Sequence, residues 1–235
     1  MPDVPVHIVQ RGHSRDPVFF DTSDYQAYLY WLREASERYD CAIHAYVLMT
    51  NHIHILATPK KKDSISLMMQ YIGRYYVPYI NYTYGTSGSI WEGRLKASLV
   101  HDEEYLLTCM RYIELNPVRA NMIQSPGAYR WSSYKVNGQG RGNSSIRFHS
   151  LYMALGSSMP QRAAAYRSLF KAHVDSELKG SEPFLGLVSS LKKEKFIIIL
   201  KMLEKLKICF LLCMWGSITV CLVRNHGSRA YILHV

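Results

Sequence analysis

The sequence predicts an α+β fold, a ferredoxin-like split βαβ arrangement with an antiparallel sheet and one extra helix. Two strand patterns, at 41–49 and 52–57, are separated by only two residues, which indicates a hairpin. Amphipathic helical patterns flank this hairpin, and a fourth strand with a third helix follows. The predicted order of strand, helix, strand, strand, helix, strand, helix is the split βαβ pattern with a helix added.

The first strand and helix follow from residue spacing. Residues 5–10 alternate and are rich in β-branched side chains, and Arg11 and Gly12 close this strand. Residues 21–39 carry apolar side chains three and four apart, as a helix requires. Thr22, Ser23 or Asp24 is expected to cap that helix.

The hairpin places its second strand inside the sheet. Thr50 and Asn51 connect the strands, and Asn suits such a turn because it tolerates a left-handed backbone. Antiparallel pairing then puts His52 on an inner strand.

The remaining elements are bounded by prolines. A second helix is predicted over 64–82, with Pro78 expected to kink or end it. Residues 90–100 are predicted to form the fourth strand. A third helix, capped by Asp102 or a neighbour, should run to Asn116, because Pro117 interrupts the hydrogen-bond ladder.

Composition divides the chain into four predicted parts. Residues 1–137 form the domain described above, 138–150 a linker rich in Gly, Ser and Asn, and 151–177 a short helical extension. The tail at 178–235 is atypical and becomes rich in Lys and Ile from residue 192 onward. We interpret it as a frameshifted or decayed end of the reading frame, or a disordered one; the alternative is a natural variable tail. Its apolar stretch at 208–223 is shorter than the roughly 20 residues that a membrane helix needs.

Charge and cysteine content limit the function classes. The net charge of +10 favours a polyanionic partner, but residues 1–150 hold 16 Lys and Arg against 13 Asp and Glu, so charge alone does not establish DNA binding there. Five cysteines without paired spacing disfavour a disulfide framework or a zinc ribbon. The start of the sequence lacks a signal-peptide pattern, so we expect a cytoplasmic protein with no membrane association.

Two histidines on the third strand are the first candidate for chemistry. His52 and His54 are two residues apart, so both imidazoles point to one face of the sheet, while Ile53 and Ile55 point to the other. Two neutral imidazoles form half of a metal site, and a third ligand must come from elsewhere. The alternative is a pair of exposed strand histidines without a ligand.

The third helix supplies a second candidate pair. Tyr112 and Asn116 are four residues apart and share a helical face, and the Asn side-chain oxygen is a hard ligand for a divalent cation. The alternative is a core tyrosine and an asparagine that caps the helix before Pro117.

Five sequence blocks in this order resemble the REP-associated tyrosine transposases, a branch of the HUH single-tyrosine transposases of the insertion-sequence type. The resemblance extends over residues 5–177. The blocks are HIVQRG from His7, VLMTNHIHIL from Val47, WEGR from Trp91, YIELNPVRA from Tyr112 and WSSY from Trp131.

The resemblance implies cleavage of hairpin-forming single-stranded DNA with Mg²⁺ or Mn²⁺, through a 5′-phosphotyrosine link and a free 3′-hydroxyl. By motif position, Tyr112 is the nucleophile on an extra, catalytic helix, and His52, His54 and Asn116 are the metal ligands. The basic residues that lie in or beside these blocks are candidate phosphate contacts. They are Arg11, Arg94, Lys96 and Arg119.

Other functions remain open at this point. The chain could be a DNA-binding protein of the same fold that has lost cleavage through decay of its C-terminal end. A metal-dependent hydrolase of small phosphoesters would use the histidines but leave Tyr112 without a role. A plasmid-type replication initiator or relaxase would carry different sequence blocks. The sequence leaves the DNA target and the choice between monomer and dimer undecided.

Overall fold

The computed structural model describes residues 1–101, 103–142, 145–177, 219–221 and 232–234. Contacts group Met1–His173 into one compact unit and Val174–Val235 into a second. The boundaries predicted for the linker and for the start of the extension fall inside the first unit. The atypical tail predicted for 178–235 lies outside the described residues, apart from one short antiparallel pair. That pair joins β5 (Thr219–Cys221) to β6 (Ile232–His234).

A four-stranded antiparallel sheet forms the centre of the first unit, in the order β2-β3-β1-β4. This is the ferredoxin-like arrangement that the sequence predicts, and β3 is an inner strand. The strands are β1 (Val6–Arg11), β2 (Cys41–Met49), β3 (His52–Pro59) and β4 (Lys96–Leu99).

Helices cover both faces of the sheet, so the protein has two hydrophobic clusters. Ile8, Ile53 and Ile55 lie in the cluster formed with α1 (Thr22–Arg38) and α2 (Ser64–Tyr84). Val47 and Leu56, on the opposite face, lie in the cluster formed with α3 (Glu103–Arg119). Their burial stabilises the fold by roughly 1.5–3 kcal/mol for each large apolar side chain. The alternation of strand side chains therefore separates the two layers.

The chain after α3 returns to the same unit. Short helices α4 (Tyr134–Asn137) and α5 (Ser150–Met153) precede α6 (Met159–Glu177). Tyr152 and Tyr166 are buried in the cluster that contains α3. Among the described helices, none is both long and apolar enough to cross a bilayer.

Two details near the first helix and the hairpin differ from expectation. The cap of α1 is Asp21, whose side chain accepts a hydrogen bond from the Ser23 backbone, while Asp24 completes a capping box. The turn between β2 and β3 has the predicted two residues, but Asn51 is not among the described residues with a left-handed backbone. Asn51 contributes through its side chain instead.

Pro78 and Pro117 were expected to interrupt their helices, but both helices continue past them. α2 continues through Pro78 to Tyr84, where Gly85 takes a left-handed conformation, with φ 65°, and terminates it. α3 continues through Pro117 to Arg119. A proline removes only one backbone hydrogen bond from a helix, the one accepted by the carbonyl four residues before it, so the rest of the helix can continue.

The fourth strand is shorter than the predicted 90–100. Trp91 pairs with Gly12 as an isolated bridge, and regular pairing with β1 begins only at Lys96. Gly93, between these two contacts, has a φ of 63°, which an extended strand cannot accommodate. The segment from Glu92 to Leu95 is therefore a loop.

Candidate active site

The sheet register brings three histidines and an arginine to one face. Between β1 and β3, His54 lies opposite Val9 and His52 opposite Arg11. Paired residues of an antiparallel sheet share a face, and alternation along β1 adds His7 to it. This is the face on which α3 packs, since α3 contacts β2 and, less extensively, β3.

His54 is held by a second histidine that the sequence analysis did not select. Its Nδ1 lies 3.0 Å from Nε2 of His7, and both side chains are buried. The two rings are nearly parallel, with 22° between their planes. This contact occupies Nδ1 of His54 and leaves its Nε2 for another partner.

His52 is held by its neighbour in the hairpin turn. The Nδ2 group of Asn51 donates to the Arg15 carbonyl at 2.9 Å, so its Oδ1 faces the His52 ring and lies 2.7 Å from Nδ1. An amide oxygen can only accept, so Nδ1 of His52 carries the proton. Nε2 of His52 therefore keeps its lone pair.

Burial keeps both imidazoles neutral. Burial, together with a smaller effect of the Arg11 guanidinium, lowers the pKa of His52 to about 4. Burial, and then the neighbouring His7, His52 and Arg11, lower the pKa of His54 well below its usual value. At neutral pH both rings are therefore uncharged, which is the state that binds a metal ion.

Tyr112 reaches this histidine cluster from α3. Its ring centroid lies 6.0 Å from that of His54 and 6.2 Å from that of His7. The Arg119 guanidinium lies over the tyrosine ring, 5.1 Å from its centroid. Burial raises the pKa of Tyr112, and the charge of Arg119 opposes that increase.

Asn116 has a structural role that also orients its oxygen. Its Nδ2 donates to the carbonyls of Tyr112, at 2.9 Å, and Ile113, at 3.2 Å. The Ile113 carbonyl would normally accept from the backbone of residue 117, and Pro117 has no N–H. The Asn116 amide replaces that missing bond and explains why the helix continues. With Nδ2 turned to the backbone, Oδ1 points away from it.

Three of the four predicted basic residues lie at this face. Arg11 is exposed opposite His52, and Lys96 is exposed on β4, paired with Val9 and hence on the same face. Arg119 lies over Tyr112. Arg94 is exposed on the loop that leads into β4, and no described contact joins it to the histidines.

The residues present suit a hard divalent cation. No group of three or more His, Cys, Asp and Glu within the described residues is arranged to hold a metal. The side-chain atoms that could hold such an ion are Nε2 of His52, Nε2 of His54 and an oxygen such as Oδ1 of Asn116. Such a set leaves positions for water and phosphate oxygens, which Mg²⁺ and Mn²⁺ keep in octahedral sites.

A buried carboxylate fixes the opposite side of α3. Glu114 is fully buried and accepts hydrogen bonds from Ser133 and Asn137 on Oε1 and from Tyr166 on Oε2. The backbone N–H of Tyr46, on β2, donates to the Ser133 hydroxyl oxygen. Burial raises the pKa of Glu114 to about 7, although all three donors lower it. This network ties α3 to β2, α4 and α6.

The structure thus brings together His52, His54 and Tyr112, with Arg11 and Arg119 beside them. The sequence analysis missed the supporting residues His7 and Asn51. A signal for His7 was present, because antiparallel pairing of the first and third strands places it on the histidine face.

The chain is similar to known proteins in sequence and in fold. Residues 1–116 match the family model described as "Transposase IS200 like", a range that contains His52, His54, Tyr112 and Asn116. The structure of the REP-associated tyrosine transposase bound to a REP hairpin aligns with a TM-score of 0.51 and 17% identity, over 64% of this chain and 88% of that one. This similarity indicates a common fold.

A crystal structure of a protein assigned as a transposase of Deinococcus radiodurans aligns over 47% of this chain and 88% of that one, at 17% identity. Its TM-score of 0.36 is too low to indicate a common fold. No curated protein matches the sequence significantly.

Proposed function

The chain belongs to the IS200-like transposase family, and we propose that it nicks and rejoins hairpin-forming single-stranded DNA through a covalent bond to Tyr112. Membership makes it a transposase, an enzyme of the DNA-cleaving kind. The proposal adds three points: a covalent tyrosine intermediate, a divalent metal ion and a hairpin-forming DNA substrate. It also assigns the chain to the REP-associated branch of the family.

The observation that supports the proposal is the convergence of a tyrosine on two metal-competent histidines. The Tyr112 ring lies 6.0 Å from the His54 ring, although these residues come from a helix and a strand far apart in sequence. A hydrolase acting through water would gain nothing from a tyrosine at this position.

Each residue of the site has a separate role in the proposed cleavage reaction. The Tyr112 hydroxyl gives up its proton, and its oxygen attacks the scissile phosphorus to form a tyrosyl ester. The bond from phosphorus to the 3′ oxygen breaks, and that oxygen takes up a proton from solvent to become a 3′-hydroxyl. Arg119 stabilises the phenolate, and Arg11 and Lys96 contact neighbouring phosphates. A bound Mg²⁺ or Mn²⁺, held by His52, His54 and Asn116, would act as a Lewis acid on a non-bridging oxygen and orient the phosphate. The ester preserves the bond energy for rejoining.

The DNA partner is proposed from charge and from the similar structure. That structure contains a REP hairpin. Here β4 presents an exposed strand with Lys96 on the side of the histidines. Single-stranded DNA could follow this open part of the sheet from Lys96 to Tyr112 without crossing α3, because α3 packs mainly on β2.

Labelled single-stranded DNA from the flanks of the gene tests the proposal. With Mn²⁺, the wild-type protein should form a covalent adduct that survives denaturation. Tyr112→Phe should form none, since it removes the attacking oxygen alone. Tyr105→Phe is the matched control, because Tyr105 lies on the same helix two turns earlier and should be dispensable.

Each other result has a definite meaning. An adduct in Tyr112→Phe would identify another tyrosine as the nucleophile. Cleavage without an adduct in that variant would indicate water as the attacking group and a hydrolase. DNA binding by the wild-type protein without any adduct would favour a binding protein that has lost cleavage.

A further inference from the structure

His7 and His54, both buried, lie within hydrogen-bonding distance of each other through one ring nitrogen each. Nε2 of His7 and Nδ1 of His54 are 3.0 Å apart across the β1–β3 pair. The two ring planes are nearly parallel, with 22° between them, and the ring centroids are 5.2 Å apart. At this distance one of the two nitrogens donates a hydrogen to the other.

Only one of two proton arrangements leaves His54 able to bind a metal. A neutral imidazole has one N–H and one lone pair. If His7 donates from Nε2, then Nδ1 of His54 accepts and its Nε2 carries the proton, which excludes coordination there. If His54 donates from Nδ1, its Nε2 is a ligand and His7 is the acceptor.

His52, the other proposed histidine ligand, is held in the same way by a hydrogen bond from its Nδ1. Asn51 can only accept from Nδ1 of His52, so Nε2 of that ring is left as the ligand atom. Histidine ligands generally donate their other N–H to a neighbouring acceptor, which fixes both the tautomer and the ring orientation.

We propose that His7 is a positioning residue for the reaction: its Nε2 accepts the Nδ1 proton of His54 and holds that ring with Nε2 directed to the metal and the scissile phosphate. This inference rests on the proposed function, in which His54 is a metal ligand. His7 also lies beside the nucleophile, with its ring centroid 6.2 Å from that of Tyr112. A single strand residue therefore aligns the ligand and borders the attacking group.

Two substitutions separate hydrogen bonding from packing. His7→Gln keeps an acceptor at the reach of Nε2, whereas His7→Phe keeps a ring of similar size and removes the acceptor. The first measurement uses the full chain without metal: nitrogen-15 NMR of the labelled imidazoles, with His54→Ala identifying the His54 signals. The second is Mn²⁺ binding by titration calorimetry, and the third is adduct formation.

The expected results are specific. Wild-type His54 should be protonated on Nδ1. His7→Phe should shift that population towards the Nε2–H tautomer, weaken Mn²⁺ binding by about 10- to 100-fold and slow adduct formation similarly. His7→Gln should restore the tautomer and bring Mn²⁺ affinity within a few-fold of wild type.

Different results would contradict the role of His7 and the proposed function on which it rests. An Nε2–H tautomer in wild-type metal-free protein would overturn the role of His7, and this holds even if His7→Phe does not fold. Wild-type Mn²⁺ affinity in a folded His7→Phe would overturn it too. If His54→Ala instead binds Mn²⁺ normally, the ligand assignment itself is wrong.

Discussion

The buried carboxylate of Glu114 should make the stability of this protein depend on pH in a defined range. Its pKa is about 7 in the folded chain against 4.5 for an ordinary glutamate. Below pH 4.5 the group is protonated in both states. Between pH 4.5 and about 7 the unfolded chain releases the proton while the folded chain retains it, so the free energy of unfolding falls as pH rises.

The size of this effect follows from the shift. Each pKa unit corresponds to about 1.4 kcal/mol, so the difference between 4.5 and about 7 corresponds to about 3 kcal/mol. Glu114→Gln removes the ionisation and keeps a side-chain oxygen for Ser133 and Asn137. Relative to wild type, this variant should gain about 3 kcal/mol between pH 4.5 and about 8.

Urea unfolding of both proteins across that pH range measures the gain directly. Tyr166→Phe is the companion variant, because it removes a donor that favours the ionised carboxylate. The pKa of Glu114 should then rise further, and the loss of stability should continue to higher pH. Parallel pH curves for wild type and Glu114→Gln would refute the reasoning, since they would mean that folding does not perturb this carboxyl.

The remaining predictions concern the sheet face that carries His52 and His54, together with α3 above it. His52→Ala and His54→Ala should each abolish adduct formation yet leave most of the DNA affinity, which gel-shift titration measures, because affinity comes mainly from phosphate and base contacts; cleavage at the wild-type rate would exclude a metal role. Asn116→Ala should reduce cleavage less, since water can replace one oxygen ligand. An unchanged cleavage rate would mean that Asn116 serves only through its hydrogen bonds to the helix backbone. Arg119→Gln should raise the pKa of Tyr112 and move the rise of the cleavage rate to higher pH, while Arg119→Lys should largely retain the wild-type profile; identical profiles for wild type and Arg119→Gln would exclude this electrostatic role.

Much of the fold could be predicted because alternation and helical spacing report burial directly. The hairpin, with His52 and His54 on one face and Ile53 and Ile55 on the other, needed only the period of a strand. β4 was overestimated because the left-handed Gly93 interrupts a segment whose composition still favours a strand. The sequence pattern does not show at which residue the hydrogen bonding between β4 and β1 stops.

The side-chain hydrogen bonds described for Asn116 and Glu114 could not be predicted from the sequence. Pro117 was expected to end α3, since nothing in the spacing shows that the Asn116 amide supplies the missing hydrogen bond. Glu114 faces away from Tyr112, as helical geometry predicts, but its partners lie up to 52 residues away in sequence. Its role follows only from the arrangement of four elements in space.

The distance along the chain between Glu114 and Tyr166 also sets an order of events during synthesis. A nascent protein extended only to residue 137 already contains both strand histidines, Tyr112 and two of the three donors to Glu114. It lacks the third donor, which arrives with α6. Since the ribosome adds residues from the N-terminus onward, α3, which carries the proposed nucleophile Tyr112, gains this last contact only after α6 has been made. A chain that ends before Tyr166 would thus contain His52, His54 and Tyr112, but its α3 would lack one of the three hydrogen bonds to Glu114.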